Sequence, residues 1–122
     1  MNIKNKNIEY MLLGQIGAYC EQVNTGAKLC AQLIIKNEYL AIARDVIKKE
    51  TCKSLCFDGS HDFKVVFIYK YNFAKFIIYE LAKRSEKKKP DAFEIWVTGK
   101  MFGYSDYEIS KYLKKHGYLQ KN

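Results

Sequence analysis

From Asp58 to Lys64 the chain reads Asp-Gly-Ser-His-Asp-Phe-Lys, two carboxylates, an imidazole and an amine within seven positions. Asp62-Phe63-Lys64 has the D-x-K spacing with which acidic groups can bind Mg²⁺ while a lysine stabilises charge or orients water. Asp58 offers a second carboxylate, although three residues separate it from Asp62, and a longer excursion would suit two neighbouring strands better. Glu50, the nearest acid preceding the segment on a helix, falls at that helix's end. His61 offers a general base that Asp58 or Asp62 could orient, with Cys56 across the bend as its thiol partner. The competing reading is structural. Asp and Ser around a glycine are what a tight bend demands, and a strand cysteine is ordinarily a small core residue. The bend is the preferred reading here.

Metal ligation is the second chemistry to weigh. Cys52-x3-Cys56-x4-His61 has zinc-ligand residue types, and Cys20, Cys30 or His116 would supply a fourth. A strong zinc signature has two close pairs, whereas this chain has one loose pair. Cys52 and Cys56 sit four residues apart on one strand face, ~13 Å when extended, too far for one tetrahedral ion. No metal and no cofactor is expected.

Charge gives the stronger lead. The net charge is +8, and residues 83–122 hold ten Lys or Arg against five Asp or Glu, which concentrates +5 in the last third. Lys111, Lys114 and Lys115 recur at i, i+3 and i+4, opposite Ile109 and Leu113, with Tyr107 one turn before Lys111. Lysines of this kind can neutralise phosphates while the tyrosine offers a stacking surface. Lys83, Arg84, Lys87, Lys88 and Lys89 form a second basic cluster. The plain alternative for both clusters is a solvated helix face.

The elements that position these residues follow from periodicity and punctuation. Ile8, Leu12, Ile16, Tyr19, Cys20 and Val23 mark one face of an N-terminal helix. Gly14 and Gly17 within it suggest close helix–helix approach, and Asn24-Thr25-Gly26 ends it. A second helix is expected from Asn37 as its cap to Lys48 and Lys49. Residues 28–35 fit either its first turns or a separate buried strand, and the helix is preferred. CKSLCFD and DFKVVFIYKY read as strands joined at Asp58–His61, where Gly59 is expected to supply unusual backbone angles. Phe63, Val65, Phe67, Tyr69 and Tyr71 form the face expected to fill the core.

Three helices should follow. The first is capped by Asn72, with Phe73, Phe76, Ile77 and Leu81 inside, and is broken at Lys87-Lys88-Lys89-Pro90. The second is capped by Asp91 with Glu94, buries Phe93, Trp96, Val97 and Met101, and stops at Gly103. The third opens on Ser105-Asp-Tyr-Glu108, buries Ile109, Tyr112 and Leu113, and stops at Gly117.

The tail FGYSDYEISKYLKKHGYLQKN resembles, over about twelve residues, the opening of helix-turn-helix units, in which a G-Y-S turn leads into E-I-x-x-x-L. The resemblance implies a second helix after Gly117, where five residues follow; pairing 91–102 with 105–116 is the other arrangement.

These readings combine into one compact α+β domain spanning 1–122: N-terminal helices, a central antiparallel β-hairpin or small sheet, and three C-terminal helices. No apolar run is long enough to span a membrane, no export signal is recognisable, and cytoplasmic thiols are expected. The expected function is non-enzymatic binding of nucleic acid, or of an anionic nucleoprotein or protein surface, through Lys83, Arg84, Lys87, Lys88, Lys89, Tyr107, Lys111, Lys114 and Lys115. Its Lys/Asn/Ile/Tyr-rich character suggests an AT-rich genome and an accessory protein of a phage or mobile element, one that blocks a host nuclease. The alternative is a metal-dependent nuclease using Asp58, Asp62 and Lys64.

Overall fold

The computed structural model describes residues 3–84 and 89–119. The chain divides into two compact units, Met1–Lys70 and Tyr71–Asn122. The first holds α1 (Ile3–Asn24), β1 (Cys30–Lys36), α2 (Leu40–Lys49), β2 (Lys53–Asp58) and β3 (Phe63–Tyr69). The second holds α3 (Asn72–Arg84), α4 (Ala92–Met101) and α5 (Asp106–Lys115). This is the expected α+β set, with a small antiparallel sheet between N-terminal and C-terminal helices in chain order. No helix among the described residues is long and apolar enough to cross a membrane.

In the first unit the strand order is β1-β3-β2, with both pairings antiparallel. The register sets Ala31 opposite Ile68, Leu33 opposite Val66, and Cys56 opposite Val66. Strand side chains alternate between faces, so these residues share one side of the sheet. Leu12, Ile16, Cys20 and Val23 of α1 and Ala43 and Ile47 of α2 join them in a single buried cluster. The result is a layer of helices on one sheet face. Ile16, Ile47, Val66 and Ile68 are at most 1% exposed, and burial of such a side chain stabilises by about 1.5–3 kcal/mol.

The structure corrects several expectations in this unit. Residues 30–36 are a strand rather than the start of a helix; its burial alternates along Leu33, Ile34, Ile35 and Lys36, the period of a strand. Asn37 does not cap α2. It opens a short 3-10 turn over Asn37–Tyr39, and its N–H donates to the Asp62 carbonyl at 2.7 Å. The β3 face that joins the cluster with α1 and α2 is the even one, Val66 and Ile68. On the odd face Tyr69 is buried as expected, while Phe63 is 37% exposed, Val65 and Phe67 are half-buried and Tyr71 is exposed. Gly14 and Gly17 meet no neighbour, since a Cβ at either would have nothing within 4 Å. At the β2–β3 bend the positive φ belongs to His61, at 46°. Gly59 is needed for a different reason: its Cβ would lie 3.0 Å from the Phe63 carbonyl oxygen.

In the second unit the boundaries of α4 and α5 match the punctuation closely, whereas Asn72 is the first residue of α3 rather than its cap. Asp91 and Glu94 form a reciprocal capping box, with Glu94 N–H donating to Asp91 Oδ1 at 2.8 Å and Asp91 N–H donating to Glu94 Oε1 at 3.3 Å. At the start of α5, Ser105 Oγ accepts from Glu108 N–H at 3.1 Å. Gly103 and Gly117 adopt φ of 84° and 79°. Each ends its helix with a pair of bonds, Tyr104 N–H to Gly99 O and Gly103 N–H to Lys100 O, then Tyr118 N–H to Leu113 O and Gly117 N–H to Lys114 O.

The burial pattern of these helices departs from expectation. Ala74 and Ile78 are buried on α3, while Phe73 and Phe76 are 52% and 73% exposed. On α4, Met101 is buried as expected, but Phe93 and Trp96 are 62% and 46% exposed. On α5, Ile109 and Leu113 are buried and Tyr112 is half exposed. Hydrophobicity alone placed these rings inside, yet the small residues Ala74 and Gly99 occupy the buried positions.

Candidate functional site

The D-x-K hairpin assembles differently from a two-carboxylate metal site. Asp58 and Lys64 stand opposite each other in the β2–β3 register. Lys64 Nζ donates to Asp58 Oδ1 as an ion pair. That hydrogen bond holds the Asp58 carboxyl below its ordinary 3.8 and raises the Lys64 amine. The lysine is therefore engaged by Asp58, while Asp62 contributes its backbone carbonyl to Asn37 and is exposed. Glu50 sits at the C-terminal end of α2, before the start of β2, and Asp58 is the last residue of that strand. Five strand steps, ~17 Å, separate the two ends of β2, so Glu50 does not complete a cluster with Asp58.

The cysteines are free thiols packed into the first unit: Cys20, Cys30 and Cys52 are buried and Cys56 is half-buried. Cys52 Sγ lies 3.8 Å from the Cys20 carbonyl. Desolvation pushes the thiols of Cys20 and Cys30 up to about 12, and raises that of Cys52. Such thiols are poor nucleophiles at neutral pH. His116, offered as a fourth ligand, packs its ring 4.2 Å from that of Tyr112. Among the described residues no group of three His, Cys, Asp or Glu is placed to hold a metal ion.

The basic residues are arranged by α5. Ile109 and Leu113, one turn apart, are its buried stripe, so Tyr107, Lys111, Lys114 and Lys115 fall on its exposed surface. Tyr107 is 75% exposed. Lys114 and Lys115 also occupy the last turn, where the helix dipole favours cations. By contrast, Lys100 at the end of α4 is ion-paired with Asp106 and lies 5.7 Å from the centroid of the Trp96 ring.

The second basic cluster is only partly assembled with the first. After α5 the chain folds back, and Tyr118 Oη donates to the Pro90 carbonyl at 2.6 Å. Lys89 then sits 4.9 Å over the Tyr118 ring, which brings it to the C-terminal end of α5. Arg84 donates to Glu80 at 3.1 Å and lies 6.0 Å from the Phe93 ring centroid, so its charge is offset locally. Lys83 is exposed at the end of α3. Lys87 and Lys88 lie outside the described residues.

A feature not anticipated from the sequence is a groove of about 660 Å³ between α4 and α5. Its α5 wall carries Glu108, Lys111, Tyr112 and Lys115, and Tyr104 of the preceding turn joins them. Ile95 and Gly99 of α4 supply apolar surface, and the buried Glu94 lines it as well. The one trace of it in the sequence was Gly99, a glycine in the middle of a helical pattern. Compared with known proteins, the chain matches no family model and no curated sequence.

Proposed function

We propose that this chain is a small basic binding protein whose C-terminal unit engages nucleic acid through the exposed surface of α5. The observation that carries this reading is the pattern on one ten-residue helix. Lys111, Lys114 and Lys115 are exposed beside an exposed tyrosine, and no described carboxylate forms an ion pair with them. Three such cations release condensed counterions when they meet phosphates, which is the main source of sequence-independent affinity. Tyr107 adds a ring on which a base can stack. Lys89, held at the same end of α5 by Tyr118, extends the basic surface. The test is binding of labelled single-stranded and duplex DNA and RNA to the whole chain and to a Lys111→Glu/Lys114→Glu/Lys115→Glu variant. Wild-type binding that collapses in the variant supports the reading, and equal binding removes α5 from it.

A further inference from the structure

The groove between α4 and α5 shares two residues with the proposed phosphate surface, Lys111 and Lys115. At about 660 Å³ it falls within the ~300–1,000 Å³ range of small-molecule sites. Its chemistry is divided. The lysines, one helical turn apart, present positive charge along α5. Glu108, one turn before Tyr112, presents a carboxylate in the same groove, and its Oε1 accepts from Ser105 Oγ at 3.2 Å. No described lysine forms an ion pair with Glu108. Tyr104 and Tyr112, about half exposed, line the space with aromatic surface.

A ligand complementary to this lining needs an anionic part for the lysines, a flat apolar part for the tyrosines, and hydrogen-bond donors for the carboxylate. An unpaired nucleotide has all three. Among the bases, guanine alone places two adjacent donors, N1–H and N2–H, on its Watson–Crick edge, where a carboxylate can accept both. Single-stranded segments expose that edge, whereas a duplex hides it. We propose that the α4–α5 groove is a base pocket that takes one unpaired guanine of a single strand, with Glu108 accepting from its Watson–Crick edge and Lys111 and Lys115 holding the flanking phosphates. The inference rests on the nucleic-acid reading above and narrows its substrate to guanine-bearing single strands.

The experiment is a fluorescence-anisotropy titration of the whole chain with short labelled thymidine strands. One strand is unsubstituted, and the others carry a single central guanine, hypoxanthine or adenine. The guanine strand is expected to bind about tenfold more tightly than the thymidine strand. Hypoxanthine, which lacks the N2 amine, loses most of that gain. Glu108→Gln exchanges one acceptor for a donor while keeping an acceptor for Ser105, and it makes the guanine and thymidine strands bind alike. If all four strands bind wild type equally, the base pocket is wrong and the nucleic-acid reading stands. If no strand binds, both are wrong. Competition by guanosine monophosphate as strong as that by the guanine strand would overturn the strand assignment in favour of a free nucleotide.

Discussion

Gly99 of α4 and Ile109 of α5 approach so closely that a Cβ on the glycine would stand 2.7 Å from Ile109 Cγ1 and 2.8 Å from Cδ1. A glycine inside a helix costs about 0.5–1 kcal/mol relative to alanine, and here that cost permits the helices to meet. Ile109 is 4% exposed and β-branched, so its χ1 has little room to adjust. Both residues line the α4–α5 groove, so their contact helps define its shape.

Alanine substitution should therefore act in opposite directions at two helical glycines. Gly99→Ala is expected to destabilise the chain by about 1–3 kcal/mol through overpacking. Gly14→Ala, with nothing within 4 Å of the new Cβ, should stabilise by about 0.5–1 kcal/mol from helix propensity. Urea unfolding followed by circular dichroism reads both.

Thr51 holds a φ of 61° just after α2. Its N–H donates to the Lys48 carbonyl and the Cys52 N–H to the Ile47 carbonyl, the helix-ending pattern that normally uses glycine. A β-branched residue in the left-handed region carries a penalty of roughly 1–2 kcal/mol. Thr51→Gly should raise the unfolding midpoint, partly offset by greater freedom in the unfolded chain and by loss of the hydroxyl bond to the Glu50 carbonyl. A lower midpoint would show that the hydroxyl outweighs the strain.

The buried thiols make the first unit sensitive to alkali. Cys20 and Cys30 stay protonated up to about 12 when folded, against an ordinary 9.0. Between those values the unfolded chain releases protons that the folded chain keeps, so stability falls as pH rises. Their contribution is fully present below pH 9.0. The slope approaches about 1.4 kcal/mol per pH unit for each thiol. Denaturant midpoints across this range should fall less steeply in a Cys20→Ala/Cys30→Ala variant, and alkylation at neutral pH should spare both thiols until the chain is unfolded.

At the β2–β3 hairpin, NMR titration should find the Asp58 carboxyl below 3.8, because Lys64 hydrogen-bonds its anion. The pair's contribution is present above that value and is lost as pH falls. Lys64→Met should return the Asp58 midpoint toward 3.8. An unchanged midpoint would mean that the ion pair does not form in solution.

Local features were the most legible in the sequence. Asp91, Ser105, Gly103 and Gly117 act within one helical turn, so their residue types nearly define their structure. Features set by distant packing were not. Residues 30–36 are too short an apolar run for periodicity to separate strand from helix; β3 decides by pairing with them. Both faces of β3 have apolar centres, so aromatic content favoured the odd face, of which Tyr69 is buried, while α1 and α2 pack with Val66 and Ile68 on the even one. The glycines of α1 looked like a contact surface, yet the tight approach is at Gly99. Seeing that requires knowing that Ile109 lies opposite. The lysine surface was legible because α5 keeps its period, whereas the groove beside it was not, since its walls come from two helices.

The most direct test of the nucleic-acid reading is the salt dependence of single-strand binding in wild type and in the Lys111→Glu/Lys114→Glu/Lys115→Glu variant. Each phosphate neutralised contributes about 0.7 to the slope of log affinity against log salt on a single strand. The account predicts that the variant binds more weakly and that its slope is shallower by about two. Equal slopes and equal affinities in the two proteins would contradict it.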